Sequence, residues 1–349
     1  MKSSKAPTTL LLVFFLLLPL AYAADDSFKP WLHKASVPES PKVRLFGQYA
    51  TNLFPGAATY VYGLEVPKGT NSLQPTLTLS YNSQSVKQRP GILGAGWVLT
   101  PNYIYRDVNA TPDNTSDEKY ILVLDGTPYE LVFGPDGQWH TEVDYHYKIE
   151  NLSGNYWQLT RKDGTKYRFG YNTDSSLASN TGQSYVVRWS LDLVTDTHDN
   201  KIYYTYLENP FAQDNGSVYL DKVEYNNDKK RKITFNYESS VRPDRRLVYE
   251  QGNLLEESRR VTDIAVYTDN STVRRYHLEY TNLSQSLSSL SGISYYGSDN
   301  VSLLHNITFI QYVAEPGYTS NATMWVPPVL FSDNVHTDYG ARLADVNND

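Results

Sequence analysis

The chain contains no cysteine and only two methionines among its 349 residues. Without cysteine there are no disulfides, no thiolate nucleophile and no cysteine-ligated metal, so stability has to come from sheet pairing and core packing. Long stretches of helical periodicity are also missing. The best short-helix candidate, Asn253–Arg260, reads equally well as a polar hairpin tip. Basic charge is in deficit: 31 Lys and Arg against 38 Asp and Glu give a formal net charge of −7. That balance argues against a nucleic-acid partner, which requires a basic face. The one basic run, Lys229-Lys230-Arg231-Lys232, follows Tyr225-Asn226-Asn227-Asp228 and reads as a solvated hairpin tip. Catalytic signatures are lacking too: there is no G-x-S-x-G elbow, no H-E-x-x-H and no phosphate-loop lysine. Aspartates and glutamates are too many and too dispersed to nominate an acid/base pair, so no catalytic or cofactor-binding residue is assigned. Of the seven scattered histidines, His140 and His146 share a strand parity and could approach one another. A half-exposed pair on a sheet is the plainer reading than a metal site.

Only one long apolar run exists. Lys2 and Lys5 give a basic start, Thr9 to Ala21 is mostly apolar, and Ala21-Tyr22-Ala23 has the form of a signal-peptide cleavage site. The run is short for a span, which needs about 20 apolar residues, and no later stretch could cross a bilayer. Cleavage after Ala23 removes two lysines, leaving 29 basic against 38 acidic residues, a net charge of −9. The expected organisation is a signal peptide at 1–23, a proline-containing linker at 24–42, a β-rich domain at 43–335 and a short separate terminus at 336–349.

What the chain has in plenty is aromatic and β-forming residues: 30 Tyr, 11 Phe and 6 Trp, a sheet composition. From Tyr103 to Tyr171 it reads as consecutive hairpins. Lys119–Leu124 and Pro128–Phe133 flank Asp125-Gly126; Asp136-Gly137 precedes a strand-like run, Trp139–Ile149; Tyr156–Arg161 and Lys166–Phe169 flank Asp163-Gly164. Asp-Gly between alternating apolar runs is a strong local hairpin signal. Upstream, Val43–Tyr49 is a candidate first strand. In the stretch Gly56–Trp97, residues Tyr60, Tyr62, Leu64 and Val66 share one parity, as do Leu73, Leu77, Leu79 and Tyr81. That is the period of strands with one buried face. Pro67 and Gly69 mark the turn between them, and Gly91, Gly94 and Gly96 form a bend that ends on Trp97. A tight corner is the expected role of that bend, because a strand-like run and not a helix follows it.

The string Gly56-Ala57-Ala58, Tyr60, Val66-Pro67, Gly69, Leu73-Gln74-Pro75, Leu77, Leu79, Tyr81-Asn82-Ser83, Gly94-Ala95-Gly96-Trp97 resembles the N-terminal domain of the SpvB-type virulence proteins. The same domain begins the B component of the insecticidal toxin complexes, whose later part carries Rhs/YD repeats. Further matches are Trp189, Leu191, Asp196, Asn200, Ile202, Tyr204 and Tyr206, with Asp199 in place of the family's turn glycine, a residue type that tolerates left-handed backbone. Asp163–Gly170 is similar to the strand-turn unit of Rhs repeats, and Arg242-Pro243-Asp244 and Arg274–Tyr280 keep the family order. The resemblance spans about Gly56 to Tyr312. It implies an all-β fold, an extended antiparallel sheet of consecutive hairpins, curved or shell-like, with few or no helices besides the signal peptide. It also implies partners among other domains of the same polypeptide or toxin-complex components. The ADP-ribosyltransferase activity of the virulence protein belongs to a separate C-terminal domain and is not implied here.

The last residues, Ala341–Asp349, resemble the opening of an FG-GAP/VCBS repeat. Asp345, Asn347 and Asp349 fall at the alternate positions that converge on a hard cation such as calcium, although the glycine and later ligands of that loop are missing. Calcium is therefore expected of an intact protein and not of this stretch, which reads as the front of a longer protein or a truncated gene; an acidic tail is the plain alternative. Nine N-x-S/T sequons occur, at Asn109, Asn114, Asn151, Asn215, Asn270, Asn282, Asn300, Asn306 and Asn321, surface acceptors if the host glycosylates exported proteins. The leading functional expectation is a secreted or cell-surface, non-enzymatic scaffold forming part of a β-shell around a C-terminal effector. A glycan-binding adhesion module at the cell surface and a secreted carbohydrate-active enzyme are the alternatives. The second would need a deep cleft with two carboxylates about 5–10 Å apart. Mass spectrometry of the exported protein should find a mature chain that begins at Ala24; an intact Met1 terminus would favour an uncleaved anchor.

Overall fold

The computed structural model describes residues 46–52, 56–86, 88–100, 102–153, 155–282 and 287–310. The signal peptide, the linker and the repeat-like terminus lie outside them. The chain divides into two compact units, residues 1–46 and 47–349, and every element below belongs to the second. Apart from three single 3₁₀ turns, the regular structure of the described residues is β, and all its strand pairings are antiparallel. No helix among the described residues is long and apolar enough to cross a membrane.

Strands β1 (Gln48–Asn52), β2 (Ala57–Gly63), β3 (Thr78–Asn82) and β4 (Trp97–Leu99) form a small sheet in that order. The large sheet begins with hairpins: β5 (Tyr103–Asp107), β6 (Lys119–Leu124), β7 (Thr127–Phe133), β8 (Trp139–Thr141), β9 (Lys148–Leu152), β10 (Tyr156–Thr160) and β11 (Lys166–Phe169). The Asp-Gly turns sit where the sequence places them. Asp125 and Gly126 both have positive φ, 52° and 82°, as a two-residue turn matching strand twist requires. After β12 (Ser176–Ala178) comes the long β13 (Val186–Thr195), which organises the fold.

β13 is paired on both edges along its whole length. Its first half pairs β5 (Trp189 opposite Ile104) and β12; its second half pairs β11 (Val194 opposite Tyr167) and β14 (Lys201–Glu208). Because β11 and β5 meet opposite edges of one strand, β5 to β11 and β13 close into an eight-stranded barrel. The sheet then leaves the barrel through β14 to β15 (Val218–Tyr225), β16 (Arg231–Tyr237), β19 (Val261–Thr268), β20 (Ser271–Asn282), β21 (Ser288–Tyr296) and β22 (Leu303–Thr308). A separate hairpin, β17 (Val248–Glu250) and β18 (Asn253–Leu255), is inserted after β16.

An eight-stranded barrel has an interior that side chains can fill, and here rings fill it. Tyr120, Trp139, Trp157 and Trp189 interlock with centroid separations of 5.1–6.1 Å. Trp157 and Phe169 are fully buried, with Leu122, Leu159 and Leu191 packed around them. The Trp189 indole donates to the carbonyl of Asn155 at 3.0 Å. Where the chain leaves β11 it crosses Trp189 at Gly170, which has φ +75° and where a Cβ would sit 2.2 Å from the indole; no other residue fits. The β13 side chains on the opposite face are buried as well. The Asp192 carboxylate, fully enclosed, accepts from Arg168 Nε (2.8 Å) and from the amides of Tyr171 and Asn172 (both 2.9 Å), holding that crossing in place.

The small sheet lies over the second half of the large one, and tyrosines pin the two layers. Tyr62 packs edge-on against Tyr276 at 6.1 Å, Tyr276 Oη accepts the Glu65 amide at 2.9 Å, and Tyr225 Oη donates to the Pro67 carbonyl at 2.6 Å. The Tyr276 and Tyr225 rings fill apolar space while their hydroxyls satisfy backbone groups.

One local reading differs from the structure and two are refined by it. The run Trp139–Ile149 is not one strand: it breaks at 142–147, leaving Trp139 opposite Ile149 as the only register pair between β8 and β9. Asn253–Arg260 is not helical; it is the return strand of the β17–β18 hairpin followed by extended chain. The strand expected at Val43–Tyr49 is described from Gln48 onward. The four-ring cluster makes Trp157 the most demanding position of the barrel. Trp157→Ala should lower unfolding free energy by about 3–5 kcal/mol in urea titrations, whereas Tyr49→Ala, at a side chain that is 70% exposed, should stay within about 0.5 kcal/mol.

Candidate functional site

The motif residues between Gly56 and Trp97 assemble into one face of the small sheet. Tyr60, Tyr81 and Trp97 meet there, with Phe309 against the Trp97 ring at 4.7 Å. Pro75 is buried, the Gly69 amide donates to Gln74 Oε1 at 3.2 Å, and Asn82 caps the following turn by accepting the Gln84 amide at 2.9 Å. Gly56 and Gly96 both have positive φ, and the Gly96 carbonyl accepts the Asn82 amide at 2.9 Å. These contacts are structural in kind.

Gly94 is the point at which the glycine bend touches the large sheet. Its φ is +83°, a Cβ there would lie 2.8 Å from the Ser288 carbonyl, and the neighbouring Ala95 amide donates to that same oxygen at 2.7 Å. A buried ion pair clamps the junction from behind. Arg242 Nε donates to Asp244 Oδ1 at 2.8 Å, Arg242 Nη1 reaches the Gly91 carbonyl at 2.8 Å, and Ser288 donates to Asp244 Oδ2 through its amide (2.8 Å) and hydroxyl (2.6 Å). Both charged side chains are at most 2% exposed. Burial by itself raises the Asp244 pKa, but the hydrogen bonds from Arg242 and Ser288 and the arginine's charge prevail and hold it below the ordinary carboxylate value. Arg242-Pro243-Asp244 thus gains a physical role that its place in the sequence does not reveal.

The turn after β13 is built on Asp196. Its carboxylate accepts from the amides of His198 (2.8 Å) and Asn200 (2.9 Å), from Asn200 Nδ2 (2.8 Å) and from Asn71 Nδ2 (3.3 Å); desolvation, the largest single influence, raises its pKa, but these bonds together outweigh it and lower the value to about 2. Asp199 takes the left-handed conformation, φ 60°, which its residue type tolerates. His140 and His146 each pair with their own aspartate, Asp136 at 3.0 Å and Asp144 at 2.7 Å. Among the described residues no group of three or more His, Asp and Glu is arranged to hold a metal. Asp345, Asn347 and Asp349 fall outside the described residues, as does Asn321.

Six sequon asparagines are exposed: Asn109, Asn114, Asn270, Asn282, Asn300 and Asn306. Asn215 is half-buried and accepts from Asn180 Nδ2 at 2.7 Å. Asn151 is different. It is the register partner of Trp157 and shares the inward parity of Ile149, and its Oδ1 is buried with no hydrogen-bond partner. The residue as a whole is half-buried, so this sequon is less open than the six exposed ones.

A concavity lies elsewhere, between the outer barrel wall and the β17–β18 hairpin. It is a cleft of about 270 Å³ bounded by Tyr103 and Tyr105 on β5, Leu177 on β12, Val187 and Arg188 on β13, and Leu255 on the hairpin. The hairpin is tied across it by hydrogen bonds. Gln251 Oε1 accepts the Val108 amide at 3.1 Å, and Asn180 exchanges bonds with Asn253 Oδ1 and with the amide and carbonyl of Leu254. Arg89 enters from the loop before Gly91 and pairs with Glu257 at 2.7 Å and Glu250 at 3.6 Å. Sequence reasoning missed all of these polar residues, because they come from four separate segments. The one available signal was Arg188, a charge set in the otherwise uncharged run Val186-Val187-Arg188-Trp189-Ser190-Leu191.

Residues 136–260 match the SpvB family. That family is described as the Salmonella virulence plasmid 65kDa B protein, and the matched SpvB-type stretch runs from the third barrel hairpin to the end of the β17–β18 insertion. No curated protein matches the chain in sequence. Among solved structures, the N-terminal domain of the effector protein SpvB from Salmonella typhimurium strain LT2 is 17% identical, with a TM-score of 0.54 over 67% of this chain and 98% of that one. A chain of the Photorhabdus luminescens Tc holotoxin pore is 16% identical with a TM-score of 0.56 over 71% of this chain, and a chain of the TcdB2-TccC3-TEV structure is 16% identical with a TM-score of 0.57 over 74%. The chain spans only 15–16% of the length of those two Tc chains. At these identities the likeness is one of fold: the SpvB-type β architecture is shared.

Three measurements test the clamp. Gly94→Ala should destabilise the protein, because the methyl meets backbone and φ is left-handed. Asp244→Asn should cost about 3–5 kcal/mol by stranding Arg242. Since the Asp244 pKa is depressed by folding, its contribution is complete above the unfolded carboxylate value of about 3.9 and is lost as pH falls through the lower folded value. Melting temperature should therefore drop on acidification below about pH 4 in the wild type, with a shallower drop in Asp244→Asn.

Proposed function

We propose that this chain is a non-enzymatic structural domain of an exported toxin-complex or Rhs-like protein, contributing part of a β-rich wall that encloses or presents an effector. The observation that supports it most is β13. A single strand closes a solid, ring-filled barrel and at the same time carries an open sheet onward to β22, so the domain joins a rigid plug to an extensible wall. In the solved Tc structures this fold makes up a small part of a much longer chain, in keeping with a wall segment. The partners are other domains of the same polypeptide or toxin-complex components, the FG-GAP/VCBS-like terminus leads into a calcium-binding propeller in an intact protein, and the signal peptide directs export.

A glycan-binding adhesion module is the second reading, favoured by one surface feature. Tyr129, Tyr145 and Tyr147 cluster at 5.0–6.4 Å, with the Tyr145 and Tyr147 rings stacked and Tyr145 exposed, a geometry that sugar faces can use. The carbohydrate-active reading has less support, since both carboxylates of the cleft, Glu250 and Glu257, are engaged by Arg89.

The wall reading is tested on the polypeptide secreted by its host, with residues 47–310 deleted. Effector segments should become rapidly cleaved by added protease, and unchanged protection would sink the proposal. On a glycan array the wild type should show no saturable binding; binding abolished by Tyr145→Ala would establish the adhesion reading instead.

A further inference from the structure

We propose that the cleft between the barrel wall and the β17–β18 hairpin binds a monocarboxylate carrying a flat apolar body, anchored by Arg188. Arg188 stands opposite Tyr105 on one side and Leu177 on the other. Its guanidinium lies 4.1 Å from the centre of the Tyr103 ring. It has no ion-pair partner among the described residues, and its Nε is buried without a hydrogen-bond partner. A half-buried cation with an idle donor bears a desolvation penalty that a bound oxyanion removes. Arg89 in the same cleft shows the contrast, since two glutamates already hold it.

Charge and shape narrow the ligand. The two arginines and Glu250 and Glu257 sum to zero, so one negative charge on Arg188 is accommodated, whereas a dianionic phosphate would bring its second charge among the glutamates. A planar guanidinium fork suits the two oxygens of a carboxylate. Tyr103 and Tyr105, with ring centroids 6.0 Å apart, and the aliphatic wall of Leu177, Val187 and Leu255 suit a ring or a branched chain. A volume of about 270 Å³ is at the small end for ligand sites, which run from about 300 to 1,000 Å³, so the occupant is a single aryl or alkyl acid, free or as the terminus of a peptide.

Calorimetric titration of the full chain with 3-phenylpropionate tests this, alongside its neutral amide, phenyl phosphate, and Ala-Ala-Phe with a free or an amidated terminus. The acid should bind saturably, and the amide should bind about tenfold more weakly or less, the loss of one charge-assisted bond. Arg188→Gln should weaken the acid by a similar factor while leaving the melting curve near wild type. If Arg188→Gln unfolds, Arg188→Lys, which keeps the charge without the fork, serves in its place and should bind the acid more weakly than wild type. Binding of the free acid assigns a small molecule as ligand, and binding of only the free-terminus peptide assigns a chain end. Equal binding of acid and amide, tighter binding of phenyl phosphate, undiminished binding in the variant that folds, or binding of neither acid overturns the proposal.

Discussion

Everything in this fold depends on one strand being paired along both edges. A strand in an ordinary sheet has one neighbour on each side. β13 has two on each, because β5 and β14 succeed one another along one edge while β12 and β11 succeed one another along the other. Eight strands thereby lose their free edges, which are the aggregation-prone part of any sheet, and the remaining strands still extend outward. The arrangement requires β13 to be buried on both faces. Trp189 and Leu191 point into the barrel, while Ser190, Asp192 and Val194 are buried on the other side. A carboxylate on that second face is tolerated only because Arg168 and two backbone amides receive it.

Two kinds of polar device replace the disulfides the chain does not have. Tyrosine hydroxyls bond backbone groups across layers, as Tyr225 does to Pro67 at 2.6 Å, and between neighbouring strands of one sheet, as Tyr280 does to Val261 at 2.6 Å. Buried ion pairs with additional partners clamp chain crossings, as Asp192 does at Gly170 and Arg242–Asp244 at Gly94. The first kind adds modest stability at many points and keeps rings oriented. The second adds specificity at few points and makes those points intolerant of losing one partner. At Tyr206, Tyr225, Tyr237 and Tyr280 a phenylalanine would fill the same space and leave a backbone carbonyl without this partner.

The same construction explains where binding could occur. The barrel is solid, so it offers walls and no lumen. One concave surface arises where an inserted segment crosses the outside, and the β17–β18 hairpin is that segment, tied down by Asn180, Gln251 and Asn215. The SpvB-type fold supplies the wall, and the inserted hairpin supplies the cleft.

Local chemistry settled the class and most of the strands by itself. Alternation of apolar and polar residues sets which face is buried, and Asp-Gly at 125–126 and 163–164 sets where the chain reverses; both act over a few residues, so they can be read from the order of residues alone. The left-handed Asp199 turn was legible for the same reason. Closure of the barrel was not, since the register of Trp189 against Ile104 depends on packing between residues far apart in sequence. Nor were the inward aim of Asn151, the break at 142–147, or the pairing of Arg242 with the glycine bend. Those follow from which side chains share an interior once eight strands have met, and only tertiary structure decides it, because neighbours in space exert their force regardless of their distance along the chain.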